Sequence, residues 1–376
     1  AIPLGLWLLS CGQSRPTLPP DRAPMRESDV AGACPPSAPE RDETPRQIAV
    51  SDSTTCVRVA SGGVRCWARE TSPRLVPGVD CASQIAVAGA HGCAIIGGGV
   101  RCWGPSAFGA LESTQDGQRG STPVRGLPPR HESYDQSDPV DHLAVGDTSA
   151  CGVVQGGRTY CWGLDDHGLS GKVPERVLGL PRMNKIALGR GHACGVTSDY
   201  EVYCWGRGDR GQLGLGDRLP RSAPVLVPGL KHILSVAAGA EHTCALDNMG
   251  RVHCWGRGDE GQLGDGTRND RLAPGDTLPI SAIVELAAGR RHTCATVSNR
   301  EVYCWGNNEA RQVDPTLRAP RRLGRDVRSL LSGAGLAVGD DRTCALYGEG
   351  LACWGGGQES REVRDRALRR TLEVAR

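Results

Sequence analysis

Cysteine is the residue type whose number and spacing in this sequence could do chemistry. Fourteen of the seventeen cysteines form seven pairs, whose members lie nine or ten residues apart and whose second member precedes a tryptophan. Regularly spaced thiolates could bind zinc, but structural zinc sites favour Cys-x-x-Cys knuckles, and the sequence has none. We therefore predict no metal site and seven disulfide bonds: Cys56 with Cys66, Cys93 with Cys102, Cys151 with Cys161, Cys194 with Cys204, Cys244 with Cys254, Cys294 with Cys304 and Cys344 with Cys353.

The segment around each cysteine pair reads as strands and turns. Its apolar runs are short and end at Gly, Asn, Asp or Pro, and no window keeps an apolar helical face. In the segment around Cys244 we predict three strands, followed in each unit by a fourth like the one in the preceding unit: Ser235–Gly239, His242–Asp247, Arg251–Gly256 and Ala223–Val227.

Seven such units follow one another, with first cysteines 37 to 58 residues apart. A four-stranded unit cannot bury both of its faces alone, but it can do so when stacked radially against similar units. A solenoid fits less well, because we find none of the polar end caps that it needs. The sequence thus predicts an all-β fold, a seven-bladed β-propeller of four-stranded antiparallel blades with one cross-strand disulfide per blade.

The hairpin lengths place each cysteine pair in register. Cys244 and Cys254 are symmetric about Met249, so a three-residue turn at Asn248–Gly250 sets them opposite each other. Where the spacing is nine residues, a two-residue turn such as Gly97-Gly98 has the same effect. Opposed positions have the Cα separation that a disulfide needs. Because side chains alternate faces, each tryptophan should fill one interface between blades and each cystine the other.

The best-preserved units resemble a known repeat. Gly-x-x-His-Thr, then Ala-Leu, then Cys-Trp-Gly-x-Gly-x-x-Gly-Gln-Leu-Gly is similar to the regulator-of-chromosome-condensation repeat, most clearly at Gly239–Gly266 and Gly189–Gly216 and well at Gly289–Asn307. The resemblance covers about Gln47 to Gly356 and implies a seven-bladed propeller. Cysteine in both hairpin strands of every unit departs from the family pattern. The family does not fix the function.

The amino-terminal region predicts export. Residues 1–11 resemble the end of a bacterial lipoprotein signal peptide, whose lipobox matches Leu8-Leu9-Ser10-Cys11, so we expect Cys11 to carry lipid; an ordinary secretory signal is the alternative. Residues 12–46 hold eight prolines from Gln13 onward and read as a disordered tether. Cys34 and Cys81 remain after the other assignments, and we expect them to pair. Either signal, with the cystines, implies an extracytoplasmic location in the cell envelope or outside it.

Composition excludes several partners. Net charge is +2 with three lysines, which implies no nucleic acid and no membrane contact beyond the lipid anchor. No run of 18 or more apolar residues occurs, the length that a transmembrane helix needs. One large all-β domain at 47–356 accounts for the core, and we expect a monomer without cofactor. Residues 357–376 alternate in charge sign; a short helix, a closing outer strand and a frayed end all fit them.

Other candidate groups have simpler structural explanations. His91, His192, His242 and His292 share one repeat position and are expected to be hydrogen-bonded packing residues. The acidic stretch Asp259–Asp270 lacks the order of an EF-hand loop, and the repeated Gly-Gln-Leu-Gly is not a phosphate loop. We find no Gly-x-Ser-x-Gly or His-Glu-x-x-His motif and therefore expect no catalytic residue.

Three functions from different classes remain open. The first is an exported scaffold that binds an unknown protein or surface polymer through its loops, as the resemblance to secreted family members implies. The second is a guanine-nucleotide exchange factor like the founding member, and the third is a hydrolase or lyase in the central channel. For the first, we single out the insertion Pro128–Val140 and within it Arg130 and Tyr134, an arginine and an aromatic of the kind found in interfaces; a tolerated surface insertion without a binding role is the alternative.

Overall fold

The computed structural model describes part of the chain. These residues are 42–51, 53–68, 71–104, 121–127, 138–163, 173–277, 280, 282–313, 321–326, 335–347 and 350–356, with only the backbone of 321–326 and of Tyr347. All of them belong to one compact unit, Ala33–Arg376; the other unit, Ala1–Gly32, lies outside the described residues, as do Cys11 and Cys34.

The described residues between Pro45 and Gly355 form twenty-seven strands in seven antiparallel sheets, numbered here as blades 1 to 7 in chain order. The first strands of the blades are β1 (Pro45–Val50), β5 (Ala82–Ala88), β9 (Val140–Val145), β13 (Met183–Leu188), β17 (Ile233–Ala238), β21 (Ile283–Ala288) and β25 (Leu336–Val338). The second strands are β2 (Thr54–Val59), β6 (His91–Ile96), β10 (Ser149–Val154), β14 (His192–Thr197), β18 (His242–Asp247), β22 (His292–Val297) and β26 (Arg342–Tyr347).

The third strands carry the tryptophans and the fourth strands lie outermost. The third strands are β3 (Val64–Ala68), β7 (Gly99–Trp103), β11 (Thr159–Gly163), β15 (Val202–Gly206), β19 (Val252–Gly256), β23 (Val302–Gly306) and β27 (Gly350–Gly355). The fourth strands are β4 (Arg74–Leu75), β8 (Thr122–Pro123), β12 (Glu175–Arg176), β16 (Arg221–Leu226), β20 (Arg271–Asp276) and β24 (Arg321–Asp326). Blade 7 has three strands within the described residues.

The first strands form a closed ring, because each contacts the first strand of the next blade and β25 contacts β1. The predicted seven-bladed propeller is therefore confirmed. Strand bounds agree with the sequence prediction to within two residues: the first strand of blade 5 begins at Ile233 instead of Ser235, and the fourth strand of blade 4 begins at Arg221 instead of Ala223. The earlier starts reflect irregular pairing, with a register shift after Ile233 and another in the pairing of β15 with β16. In blades 1 to 3 the fourth strand is only two residues long.

Each blade has its predicted disulfide. The two cysteines are directly opposed on the second and third strands, and the Cα atoms of the seven pairs lie 4.0 to 4.2 Å apart. In chain order the bonds join Cys56 to Cys66, Cys93 to Cys102, Cys151 to Cys161, Cys194 to Cys204, Cys244 to Cys254, Cys294 to Cys304 and Cys344 to Cys353. Seven disulfides indicate folding in an oxidising compartment.

The two hairpin lengths give the same register, as predicted. Cys294 and Cys304 are ten residues apart and Cys93 and Cys102 are nine apart, yet both pairs are direct partners in their ladders. Cys81, just before β5, is also disulfide-bonded. Its predicted pairing with Cys34 stays a prediction, since Cys34 lies outside the described residues.

Cystine and tryptophan occupy opposite faces of a blade, as predicted. The cystine Cys194–Cys204 of blade 4 packs in one buried cluster with Trp255 of blade 5. The same arrangement recurs at every interface, including the last, where Cys344 and Cys353 of blade 7 contact Trp67 of blade 1. The other clusters join the cystine of one blade to Trp103, Trp162, Trp205, Trp305 and Trp354 of the next. Alternation along each strand thus produces seven equivalent cores.

Buried histidines join neighbouring blades in half of the ring. The Nε2 atom of His242 in blade 5 lies 2.9 Å from Oγ1 of Thr293 in blade 6. That hydroxyl donates to the backbone carbonyl of Gln262, 3.0 Å away, in the long loop of blade 5. The indole Nε1 of Trp305 donates to the same carbonyl at 2.9 Å. One carbonyl therefore accepts two hydrogen bonds from the next blade.

This link recurs on both sides of blades 5 and 6. Between blades 4 and 5 it consists of His192, Thr243, Trp255 and the carbonyl of Gln212. Between blades 6 and 7 it consists of His292, Thr343 and the carbonyl of Gln312. At the ring closure Arg342 replaces histidine and its Nη1 lies 3.3 Å from Oγ1 of Thr55 in blade 1. The other three interfaces have no hydroxyl at the threonine position: Gly92, Ala150 and Ala193.

No helix among the described residues is long and apolar enough to cross a membrane.

Two tryptophans allow the indole hydrogen bond to be measured. Trp255 donates to Gln212, whereas the Nε1 atom of Trp354 is buried without an acceptor among the described groups. Replacing either residue by phenylalanine removes similar packing, but only Trp255→Phe removes a hydrogen bond. We expect Trp255→Phe to lower the free energy of unfolding by about 1 kcal/mol more than Trp354→Phe, measured by urea unfolding. An equal loss in both variants would contradict this role of the indole N–H.

Candidate interaction faces

The propeller has two faces made of different connections. The loop face carries the turns between first and second strands, such as Gly239–Glu241, and the long loops between third and fourth strands, such as Arg257–Asp270. The connector face carries the turns between second and third strands, such as Asn248–Gly250, and the connections between blades, such as Val227–His232. Antiparallel order within each blade forces this separation.

Three of the four repeated histidines, His192, His242 and His292, are hydrogen-bonded packing residues, as expected; His91 is buried, and its hydrogen bonding stays a prediction. The single proton of the Thr293 hydroxyl goes to Gln262, so Nε2 of His242 must donate to that hydroxyl. The other ring nitrogen, Nδ1, is then unprotonated, and it is buried without a partner. Protonation would place an N–H there with no acceptor. Burial lowers the pKa of His242 to about 4 and that of His192 and His292 to about 3.

The first position of Gly-x-x-His requires glycine, because a side chain there would overlap the histidine. A β-carbon at Gly239 would collide with the imidazole of His242 and with the carbonyl of Gly289 in the next blade. Gly189 has the same two neighbours in blade 4, His192 and the carbonyl of Gly239. The motif therefore encodes contact between blades.

The Gly-Gln-Leu-Gly loops hold neighbouring blades together. The side-chain Oε1 of Gln212 accepts a hydrogen bond from the backbone N–H of Arg210 at 2.8 Å, which tightens the loop. The neighbouring Leu213 is buried with Trp255, and a β-carbon at Gly214 would meet the Trp255 indole at 2.8 Å. Gln262 and Gln312 repeat the glutamine bond at 2.9 Å.

Arginines neutralise the acidic stretch Asp259–Asp270. Arg257 pairs with Asp259 at 2.6 Å and Arg218 pairs with Asp270 at 3.1 Å. Asp265 pairs with Arg271 at 3.3 Å. Each of these carboxylates therefore already has a cationic partner. No group of three metal-ligating side chains occurs among the described residues.

The channel mouth on the loop face is small and is bordered by backbone turns. A cavity of about 130 Å³ on the loop face is lined by the first turns of all seven blades. The N–H of Arg190 donates to the carbonyl of Ala240, 3.1 Å away, and the N–H of Ala240 to that of Arg290. Organic ligands usually occupy about 300–1,000 Å³. This cavity holds water-sized groups.

Titratable side chains inside the ring are spread over different blades. His142, Lys185 and Glu285 lie on the first strands of blades 3, 4 and 6. Burial, with a contribution from Lys185, lowers the pKa of His142 to about 4. Burial raises the pKa of Glu285, whose Oε1 accepts a hydrogen bond from the N–H of Leu336 at 3.1 Å. Glu285 borders a cavity of about 900 Å³ whose described lining holds no second carboxyl, histidine or lysine to act with it.

Arg130 and Tyr134 lie outside the described residues, so their proposed role stays a prediction. The end of their insertion is placed as the topology required: the N–H of Val140 donates to the carbonyl of Gly98 at 2.9 Å, beside the Gly97-Gly98 turn.

The connector face also carries exposed apolar side chains that the sequence analysis missed. Tyr200, Leu234, Met249 and Val284 are 43 to 69% exposed. The N–H of Ile233 donates to the carbonyl of Tyr200 at 3.0 Å, which brings Leu234 near Tyr200. The signal was present in the aligned hairpin turns, where Tyr200 takes the place that glycine has in blade 5.

Tyr200 has a backbone conformation that disfavours a side chain. Its φ is +63°, and Arg300 at the same turn position has φ +73°, whereas Gly62, Gly157 and Gly250 hold this position in other blades. The left-handed region costs a non-glycine residue about 1–2 kcal/mol. Glycine would stabilise the unfolded chain by about 0.4–1 kcal/mol, so the side chain at Tyr200 carries a net cost to folding. Costs of this kind concentrate at functional surfaces.

Fold and site define a seven-bladed β-propeller whose blades are locked by cystine, tryptophan and histidine. Residues 199–246 and 249–296 match one family model, and residues 184–212, 233–262 and 283–312 match a second; both describe the regulator of chromosome condensation (RCC1) repeat. The repeats of this chain across residues 184–312 belong to the RCC1 family. The predicted resemblance is thereby confirmed. No curated protein sequence is a significant match to the chain.

Solved structures share the fold at low identity. Prp20p from Saccharomyces cerevisiae is 20% identical, with a TM-score of 0.65 over 87% of this chain and 85% of that one. Human WBSCR16 is 17% identical, with a TM-score of 0.68 over 80% and 86%. The ectodomain of the Arabidopsis thaliana receptor kinase ACR4 is 19% identical, with a TM-score of 0.53 over 84% and 96%.

The buried histidines should make stability depend on pH. Their folded pKa of about 3 to 4 lies below the value of 6.5 for an unperturbed histidine. As pH falls below about 6.5, only the unfolded chain gains these protons, so stability falls, by up to about 1.4 kcal/mol per pH unit for each histidine.

Between about pH 6 and pH 4, we therefore expect the stability of His242→Gln to fall less steeply with falling pH than that of the wild type. The difference in slope should equal the contribution of one buried histidine. At pH 7.5 the variant should be less stable by about 1 kcal/mol, because it loses the bond to Thr293. At pH 5 it should be the more stable protein. Urea unfolding across this range measures both effects, and parallel curves for the two proteins would contradict the assignment.

Proposed function

We propose that this chain is an exported, lipid-anchored β-propeller that binds another protein, or a surface polymer, through its loops, and that it has no catalytic role. The observation that carries this proposal is that the residues holding the ring together are distinct from the exposed residues of the connections. Cystines, tryptophans, histidines and glutamine carbonyls hold the ring together, and the exposed connections differ from blade to blade.

A rigid ring favours binding. Each blade has its own cystine, and three interfaces add the histidine link described above. Binding to a rigid surface loses little conformational entropy, so a modest patch of loop residues can provide useful affinity. Prp20p, whose fold is similar, is described with its binding to Gsp1p and histones, and a protein partner is proposed here by that analogy.

Two features of the chain, its disulfides and its amino-terminal sequence, support export and anchoring. Seven disulfides require an oxidising compartment. The match of Leu8-Leu9-Ser10-Cys11 to a lipobox then supplies a membrane anchor through Cys11.

The alternatives have less support. Nucleotide exchange on a GTPase takes place in reducing compartments, where these disulfides would not persist. A hydrolase or lyase in the channel would need a pair of groups in contact with a substrate. The channel mouth of about 130 Å³ is too small for that substrate, and Glu285 has no described partner for acid–base chemistry.

Binding can be tested by capture with the purified full chain as bait. We expect a partner from the native envelope fraction to be retained saturably by the oxidised protein and lost when the bait is reduced and unfolded. Reconstitution with the purified partner then gives an affinity. A chain that retains no saturable partner, and instead turns over a substrate through one channel side chain, would overturn the proposal.

Lipid attachment is tested separately in cells. We expect the wild-type protein in the membrane fraction and Cys11→Ala in the soluble extracytoplasmic fraction, because the acyl chains are the only anchor in this proposal. Mass spectrometry of the amino-terminal peptide identifies the modification. Soluble wild-type protein cleaved at another residue would show that the lipobox assignment is wrong.

A further inference from the structure

We propose that residues 370–375 dock on the outer edge of β27 as the fourth strand of blade 7, and that the loop before them closes the ring against blade 1. Within the described residues blade 7 has three strands, and β27 is the outermost of them. Each of the other six blades has a fourth strand beside its third. Residues 357–376 lie outside the described residues, so the place of this segment is inferred from the edge that it would cover.

The chain leaves β27 as it leaves the third strands of blades 4 to 6. The N–H of Gly356 donates to the carbonyl of Asp341, just before the second strand, at 2.8 Å. The same bond begins the long loops of blades 4, 5 and 6, at 2.7 to 2.9 Å, with donors Arg207, Arg257 and Asn307. The backbone turns alike, since Gly355 has φ +98° and its equivalents have φ +97° to +104°: Gly206, Gly256 and Gly306. In those three blades this path returns as a fourth strand.

The return has a constant spacing in blades 4 to 6. The fourth strand begins at an arginine that pairs with the last glycine of the third strand, fifteen residues earlier: Arg221 with Gly206, Arg271 with Gly256 and Arg321 with Gly306. The second cysteine of each blade pairs with the residue 21 positions later, as Cys254 does with Gly275. Three equal registers define where a fourth strand of blade 7 would have to lie.

The sequence after β27 fits this register. Fifteen residues after Gly355 stands Arg370, and 21 residues after Cys353 stands Val374. The segment reads Arg-Thr-Leu-Glu-Val-Ala, with strand-favouring threonine and valine and without glycine or proline. A helix here would leave the outer N–H and C=O groups of β27 without this strand, and such an edge pairs readily with other chains.

Thr55 at the ring closure provides an independent observation. It is fully buried, and its Oγ1 accepts a hydrogen bond from Nη1 of Arg342 at 3.3 Å. At three other interfaces the equivalent hydroxyl donates its proton to a carbonyl six residues after the last glycine of the preceding blade's third strand, at 2.9 to 3.0 Å: Gln212, Gln262 and Gln312. The residue six positions after Gly355 is Arg361. We assign its carbonyl as the acceptor for Thr55.

The amino-terminal segment fits this edge less well. Thr44 enters blade 1 as His232 enters blade 5, because the carbonyl of each accepts an N–H from the turn after the second strand, at 2.8 and 3.0 Å. Five residues before His232, the N–H of Val227 donates to the carbonyl of Val202 at 2.8 Å. Five residues before Thr44 stands Pro39, which has no N–H and cannot repeat that bond.

Hydrogen exchange measured by mass spectrometry on the full oxidised chain tests the docking. We expect the amides of residues 371–375, taken together, to exchange at least about tenfold more slowly than in a synthetic peptide of residues 370–376, because pairing with β27 protects them. Exchange at the peptide rate would overturn the inference. So would protection of residues 37–39 with an unprotected tail, which would identify the amino-terminal segment as the occupant of the edge.

Two proline variants test the register. In blades 4 and 5 the position equivalent to Glu373 already holds proline, Pro224 and Pro274, so the N–H there faces away from the third strand. Alternation then points the N–H of Val374 toward β27. Val374→Pro should abolish the protection of the tail, and the matched control Glu373→Pro should keep it. Equal effects of the two prolines would contradict this register, and wild-type exchange still decides the docking if Val374→Pro fails to fold.

A second pair of variants tests the loop. Thr55→Val removes the assigned bond to Arg361 and should speed the exchange of amides around Arg361. Its matched control is Thr343→Val, which removes the observed bond to the carbonyl of Gln312. This control should speed exchange around Gln312 and leave the amides around Arg361 unchanged. Unchanged exchange around Arg361 in Thr55→Val would show that the loop does not close the ring in this way.

Discussion

The ring depends on the packing of each blade's tryptophan against the cystine of the blade before it. Trp255 lies against Cys194–Cys204, and the same contact closes the ring where Trp67 meets Cys344 and Cys353. A blade alone would expose both its indole and its disulfide to water. Covering them requires two neighbours, and only a closed ring provides two neighbours for every blade. The cystine keeps the hairpin in register so that this contact can form.

Hydrogen bonds at the interfaces divide the ring into two halves. From blade 4 to blade 7 a histidine, a threonine and a glutamine carbonyl join each pair of blades, as in His242, Thr293 and Gln262. Gly92, Ala150 and Ala193 remove this hydroxyl from three other interfaces. Two of these have different polar bonds, because the side-chain amide of Gln47 donates to the carbonyl of Ile85 and that of Gln84 to the carbonyl of Leu143. The family repeat follows this logic, because residues 199–246 begin in one blade and end in the second strand of the next. One repeat of the family model therefore spans an interface between two blades and does not coincide with a single blade.

These locks also decide which surface is left for binding. In blades 4 to 6 the long loops of the loop face bind neighbouring blades through Gln212, Gln262 and Gln312. In the loops of blades 4 and 5, arginines are also paired with carboxylates. The short turns of the connector face also join the next blade, but through backbone atoms, as where the N–H of Ile233 donates to the carbonyl of Tyr200. The side chains of Tyr200 and Met249 are exposed, so substitutions there change little in the core. Rigidity on one face and variability on the other are consistent features of a binding scaffold.

The sequence alone determined the blade count, the strand order and the seven disulfides. Cys244 and Cys254, symmetric about a three-residue turn, can only be opposed on adjacent strands, and alternation places the next tryptophan on the other face. These are short-range consequences of covalent geometry. What His242 contacts depends on Thr293, 51 residues away, and the pairing of Gly239 with that imidazole depends on both. The turn position of Tyr200 could be read from the aligned hairpins, but its approach to Leu234 could not, since the two residues come from separate blades. Only closing the ring brings such residues together, because their proximity is a property of packing between blades and not of spacing along the chain.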